Sequence, residues 1–370
     1  MAAWKLLHLV GGQVSSALAR QMAAQVRLLP EQLFEQQVAV AEAPAVRVVE
    51  QALLQRVIRL QRRFNSDLVT FRNVRKLIQR YSPQLVVCWD IEATEQLRLA
   101  LLGMRVSVPV VLLLNAAITD RARQRKLRAN YLGLGLHVLA GSEFLVRHLD
   151  QQGMHDRVSR LAPFTGSRGV DKLAVRAQMG LPAAGPIVFL SSSASPADRL
   201  LGMWGCAIVQ RLLSELTLVM TSQGQSEQSM HRYQRFDECM PIRPILFVCD
   251  SWDEHLAVST ADVYLEPTSR AGEVLGCFSA FAQRVPVVAS VQAQASLDDP
   301  VGERVCPIQG TGVRRIAAAV LNVLEDHSLQ AAVTQRASDW SEANGSELTY
   351  RSALVRLYQN MLERHWRPGG

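Results

Sequence analysis

Short apolar runs alternate with longer amphipathic stretches along most of the chain. In the first half the runs KLLHLV (5–10), QLVVCW (84–89), PVVLLL (109–114) and HVLAG (137–141) are bounded by polar, proline or glycine positions, and VAVAE (38–42) is a weaker example. Continuous apolar runs of this length read as strands buried on both faces. Between them, residues 14–28, 50–63, 68–80, 92–103, 120–131 and 143–152 carry apolar positions at helical spacing. Strands alternating with helices predict βαβ units around a parallel sheet.

The rhythm stops at RLAPFTGSRGVDKLAVRAQMGLPAAGP (160–186), which holds three prolines and room for one short helix near 172–179. Such a segment reads as a connection between domains. The alternation restarts with IVFLSS (187–192), LTLVMTS (216–222), ILFVCD (245–250), VYLEPT (263–268) and VPVVAS (285–290). Helices are expected near 198–214, 226–238, 252–260 and 272–284, and from Gly312 onward the chain reads as helical. The expectation is α/β: two Rossmann-like doubly wound domains facing across a cleft, 1–165 and 166–345, with a C-terminal helix, 346–370, packing back on the first domain. A chain of 370 residues suits two cores better than one.

Composition narrows the partners. The net charge of +7 favours anionic ones. Two basic stretches stand out: residues 56–80, with eight Lys or Arg against one acid, and RARQRKLR (121–128). They read either as a face resting on an anionic membrane or as solvated helix surface. Nucleic acid is not expected, because no recognition motif accompanies the charge. No apolar run reaches the roughly 18 residues of a membrane span, and MAAWKLLHLVGGQ does not have the form of a signal peptide. The six cysteines are dispersed without a C-x-x-C pair, so reduced thiols in a cytoplasmic protein are expected, with no metal site.

Several ordered motifs resemble the GT-B glycosyltransferases, and within them glycosyltransferase family four. They are the Gly11-Gly12 turn after the first strand, HVLAGSEFLVRHLDQQGM (137–154), LTLVMTSQGQ (216–225), STADVYLEPTSR (259–270) and GCFSAFAQRVPVVAS (276–290). The resemblance implies a two-domain fold that moves a hexose from a nucleoside-diphosphate sugar to a glycan or lipid-linked acceptor. It implies retention of configuration, no metal and no cofactor beyond the nucleotide sugar itself, and peripheral contact with the inner membrane face in some relatives.

The charged positions depart from that pattern. The family's two acids, spaced E-x(7)-E, fall on Ala271 and Ser279; its donor-phosphate Arg and Lys fall on Ser192 and Ala197; the histidine that often ends the fourth strand of the first domain falls on Asn115. The alternative to a transferase is therefore a catalytically inactive GT-B relative serving as a binding or partner module. A sugar-phosphate isomerase on the same fold is a third reading.

Two readings stand for each candidate residue. Gly11 and Gly12 either let backbone N–H groups approach a donor phosphate or form a tight turn. Ser192 and Ser193, with Arg199 one turn into the next helix, either hold phosphate or belong to a capped helix start at Ser195-Pro196. Ser269, Gly272 and Ser279 line the donor side by position. Glu273 lies two residues past the first acid's place, a rotation of about 200° on a helix, so it caps the helix or reaches the site through a shifted loop; it and Asn115 are the catalytic candidates. Glu266 ends its strand either at the cleft edge or in solvent. Trp89 and Asp90 offer sugar-binding chemistry on the acceptor side, or Trp89 is core packing.

Overall fold

The structure, a computed structural model, describes residues 3–12, 15–41, 49–50, 53, 57–60, 67–104, 107–118, 120–166, 170–222, 227–240, 246–249, 254–269 and 274–366. The chain divides into two compact units. The first comprises Met1–Val14, Leu18–Ala162 and Leu348–Gly370; the second comprises Ser15–Ala17 and Pro163–Glu347.

In the first unit seven strands form one sheet: β1 (Trp4–Val10), β2 (Phe34–Val40), β3 (Val57–Arg59), β4 (Leu85–Cys88), β5 (Val110–Leu114), β6 (His137–Ala140) and β7 (Val158–Arg160). Their order is β3-β2-β1-β4-β5-β6-β7, and all neighbours are parallel. The valine and leucine runs are apolar on both faces because helices cover both: β4 and β5 are buried at every position. The direction of winding reverses between β1 and β4, where Leu9 pairs with Cys88.

The second sheet has six parallel strands: β8 (Ile187–Leu190), β9 (Thr217–Thr221), β10 (Leu246–Cys249), β11 (Val263–Glu266), β12 (Val287–Ser290) and β13 (Cys306–Ile308). Their order is β10-β9-β8-β11-β12-β13, so the reversal lies between β8 and β11. Open parallel sheets bind ligands beyond the carboxyl ends of the strands at such a reversal. The loops after β8 and β11 are thereby marked.

The last helix, Glu347–Trp366, belongs to the first unit. It buries Tyr350, Leu354, Tyr358 and Leu362, four residues apart, along one side. Gln25 donates to the Tyr358 hydroxyl, and the Trp366 indole donates to the Gln84 carbonyl at 3.0 Å.

Two elements differ from the sequence reading. The helix expected over 50–63 contains β3 instead, whose Val57 and Ile58 pair with Val38 and Ala39 to complete the sheet edge; most of the rest of that stretch lies outside the described residues. The strand expected at 38–42 begins earlier, at Phe34, because its alternating half, Phe34-Glu35-Gln36, carries polar residues.

Candidate functional site

In the first unit the reversal point brings Gly11, Gly12, Trp89 and Asp90 together. Asp90 caps the helix Ile91–Leu101, with one carboxylate oxygen accepting from Ala93 N at 2.6 Å. Its other oxygen accepts from Gly11 N at 2.8 Å and Gly12 N at 3.2 Å. The amides that could have met a phosphate are thus given to a carboxylate of the same domain. A Cβ on Gly11 would sit 2.3 Å from Ala93 N, so only glycine allows this approach. Burial pushes the Asp90 carboxyl up to about 6, while the three amides pull the other way.

Trp89 is 2% exposed and is a core residue. Its indole donates to His8 Nδ1 at 3.3 Å, and His8 Nε2 lies 3.1 Å from Gln36 Oε1. The ring presents no face to a sugar. Burial pushes His8 down to about 4, so it is neutral. Asn115, just beyond β5, is half-buried.

The second unit's reversal point is more heavily charged. β8 runs into Ser191-Ser192-Ser193, and Ser195 caps the helix Pro196–Gln210, its hydroxyl oxygen accepting from Asp198 N at 3.2 Å. The capped start that the sequence offered as one reading is present. Arg199 does not face solvent: it is 3% exposed and donates to the Ser191 carbonyl at 3.2 Å and to that of Ser192. It holds the serine loop from beneath, and burial lowers its pKa against the pull of Glu254 and Glu266.

Of the two acids, the sequence reading weighed Glu266 but did not single out Glu254. Glu254 begins the helix Glu254–Ser259, and Glu266 ends β11. The Ser192 hydroxyl donates to Glu254, and Tyr264 donates to its other oxygen at 3.4 Å. Ser193 donates to Glu266 at 3.2 Å, and Thr268 donates to its second oxygen. Glu266 lies neither at an edge nor in solvent, as the sequence reading had it, but is fully buried. Desolvation there outweighs its hydrogen bonds and pushes its carboxyl up to about 7.

The helix Leu275–Ala282 rests directly on this cluster. A Cβ on Gly276 would fall 1.9 Å from the Tyr264 hydroxyl and 3.0 Å from Glu254 Oε1. Burial first, then Glu266 and Glu254, push the Cys277 thiol far up. Every residue of the helix is buried, Ser279 included at 6% exposure. Gly272 and Glu273 lie outside the described residues.

Beside the serine loop a cavity of about 480 Å³ opens, lined among others by Ser195, Ala197, Ser229, Arg232, Tyr233 and Ser269. These residues follow β8, β9 and β11 in the chain, so the cavity lies at the carboxyl ends of the strands. Sequence reading placed Ser269 there but missed Arg232 and Tyr233, which sit inside an ordinary-looking polar helix, Glu227–Glu238. For Glu254 a signal existed: an acid in the first turn of the helix expected over 252–260.

Two doubly wound parallel sheets in these orders, with a C-terminal helix, make the GT-B fold, as the motifs had suggested. Solved structures similar over nearly the whole chain bear this out. HepE from Anabaena, in complex with UDP and glucose, superimposes with a TM-score of 0.75 at 15% identity, covering 96% of this chain and 100% of its own. Sucrose-phosphate synthase from Thermosynechococcus elongatus gives 0.74 at 13% identity, covering 97% and 100%. A UDP-N-acetylglucosamine 2-epimerase gives 0.64 at 13% identity, covering 100% and 98%. At such identities the likeness is one of fold. No protein-family model matches the chain, and no curated protein sequence matches it. Among the described residues no group of His, Cys, Asp and Glu is placed to hold a metal ion, and no helix is long and apolar enough to cross a membrane.

Proposed function

We propose that this protein is a glycosyltransferase that takes a hexose from a nucleoside-diphosphate sugar and passes it to a glycan or lipid-linked acceptor with retention of configuration. The second unit is the donor domain and the first the acceptor domain. The observation that carries the reading is the cavity at the reversal of the second sheet, walled by the start of the helix Pro196–Gln210 and by Ser269. It lies where open α/β sheets bind nucleotides, and the helix start adds positive partial charge. The serine hydroxyls of the loop are engaged by Glu254 and Glu266, so the loop contributes backbone groups, with Arg199 fixing its shape. HepE and S. aureus MnaA were solved with UDP, which makes a uridine nucleotide the first donor to try.

The first unit carries the membrane-facing charge in this proposal. On the helix Arg121–Leu134, Arg123 and Lys126 are paired with Glu92 and Glu95, whereas Arg121, Arg125 and Arg128 are exposed along one side. An anionic inner-membrane surface fits that stripe.

Calorimetry with UDP, GDP and ADP, followed by a transfer assay with the sugar nucleotide that binds, tests the reading. Binding in the micromolar to millimolar range with turnover is expected. Failure of all three to bind a folded protein refutes it. Binding without turnover points to the inactive relative, and epimerisation of the sugar without transfer moves the protein to the isomerases of this fold.

A further inference from the structure

The cavity of the second unit holds a cation that the resemblance does not account for. Ala197, where the resemblance would place a phosphate-binding lysine, lines the cavity with only a methyl group. On the helix Glu227–Glu238, Arg232 lines the same space; it is exposed and forms no ion pair among the described residues. Its neighbour Tyr233 lines the cavity too, yet is only 1% exposed, and its hydroxyl, beside the Arg199 guanidinium, completes no hydrogen bond of good geometry. A buried hydroxyl short of a well-formed hydrogen bond is uncommon. Burial raises the Tyr233 phenol, and Arg199 and Arg232 nearby lower it; it is a neutral donor in a positive field. Nη1 of Arg199, next to it, likewise completes no hydrogen bond of good geometry.

We propose that Arg232 and Tyr233 hold the diphosphate of the donor, the positive charge having moved from the loop after β8 to the neighbouring helix. The assignment rests on the donor reading above. A guanidinium offers two parallel N–H groups to phosphate oxygens, which suits a site whose other donors are fixed. The start of the helix Pro196–Gln210, fifteen residues long, faces the same cavity and adds its dipole. The carboxylate on that helix, Asp198, is 4% exposed, is not among the residues lining the cavity, and accepts the Ser195 hydroxyl at 2.7 Å. A volume of about 480 Å³ falls within the range of small-molecule sites.

The probes are UDP, uridine and inorganic diphosphate, measured by calorimetry on the full chain. The variants are Arg232→Ala, Arg232→Lys and Tyr233→Phe, each checked by circular dichroism. Arg232→Ala is expected to weaken UDP and diphosphate by about 10- to 100-fold and leave uridine unchanged. Arg232→Lys should fall between, since it restores charge without the fork. Tyr233→Phe should weaken UDP by about 3- to 10-fold, the worth of one hydrogen bond. The salt dependence of UDP binding should flatten in Arg232→Ala. Wild-type affinity for UDP in Arg232→Ala, or an equal loss for uridine, overturns the placement. Diphosphate binding that depends on Arg232, with no binding of UDP by the wild type, upholds the anion site and removes the nucleotide reading. A wild type that binds none of the three removes both.

Discussion

Replacing Glu266 with Gln should change how stability depends on pH, in a direction fixed by its burial. The carboxyl moves from an ordinary 4.5 to about 7 because ionising it inside the second unit forfeits hydration that the unfolded chain retains. The folded pKa is the higher one. The contribution is therefore fully present below the unfolded value and is lost as pH rises through about 7. At about 1.4 kcal/mol per unit, the loss is on the order of 3 kcal/mol. The raw profile of the wild type conceals it. His8, held down at about 4 by burial, costs stability as pH falls below 6.5, which opposes Glu266 over the same range. Asp90, held up at about 6, reinforces it. Only the difference between wild type and Glu266→Gln isolates the group, since Gln keeps the shape and one acceptor oxygen but does not titrate. Thermal unfolding of both proteins at pH 5 and pH 8 measures it, with hydrogen exchange of the β8 and β11 amides assigning the transition to the second unit. Relative to wild type, the variant should gain about 2–3 kcal/mol between the two pH values, or about 4–12 °C for a unit of this size. Parallel pH dependences in the two proteins would refute the argument that burial, rather than the serine and threonine hydroxyls, governs Glu266.

Three further outcomes are expected. Trp89→Phe should destabilise the first unit by about 1–3 kcal/mol in urea melts, because His8 Nδ1 loses its buried donor, and should leave UDP binding unchanged; loss of binding without loss of stability would restore Trp89 to a ligand role. Gly276→Ala should cost the second unit about 3 kcal/mol, the upper end for overpacking, since its Cβ would land 1.9 Å from the Tyr264 hydroxyl; an unchanged melting temperature would disprove the close approach. The protein should sediment with anionic vesicles at low salt and release at high salt, where the Debye length falls below about 10 Å, and Arg121, Arg125 and Arg128 replaced together by Ala should abolish sedimentation; no vesicle binding by the wild type would remove the membrane contact.

Most of the strands that the sequence revealed lie in the interior of the sheets. β4, β5, β8 and β12 are buried along their whole lengths, and burial on both faces is what makes a run continuously apolar. The elements that escaped notice, β3, β7 and β13, are edge strands of three residues each, too short for any period to show, whereas the fourth edge, β10, was legible as ILFVCD. The groups of the candidate site were legible as loop positions, but their hydrogen-bond partners were not. Knowing that ligands bind after parallel strands pointed to Gly11, Ser192, Ser193 and Ser269. It could not show that Asp90, 79 residues from Gly11, would take that amide, or that Glu254, 62 residues from Ser192, would take that hydroxyl. A glycine or serine in a loop reads as free until its partner is placed in space.

The helix that the resemblance would arm with two acids explains where the charge went. Leu275–Ala282 is buried at every residue, and Gly276 lets it lie against Tyr264 and Glu254. The carboxylates of this region come instead from β11 and from the start of the helix Glu254–Ser259. Their field already reaches the Leu275–Ala282 helix, since both help to hold up the Cys277 thiol. A further carboxylate at Ser279, 6% exposed and two residues on, would meet the same desolvation and the same sign of charge. The acids below the helix are also tied: one binds a serine and a tyrosine, the other a serine and a threonine. They brace the loop after β8 from beneath, with Arg199 between them in charge. An anion entering the cavity beside that loop has to find its positive partner on another element, and the helix that carries Arg232 contributes to the same cavity wall.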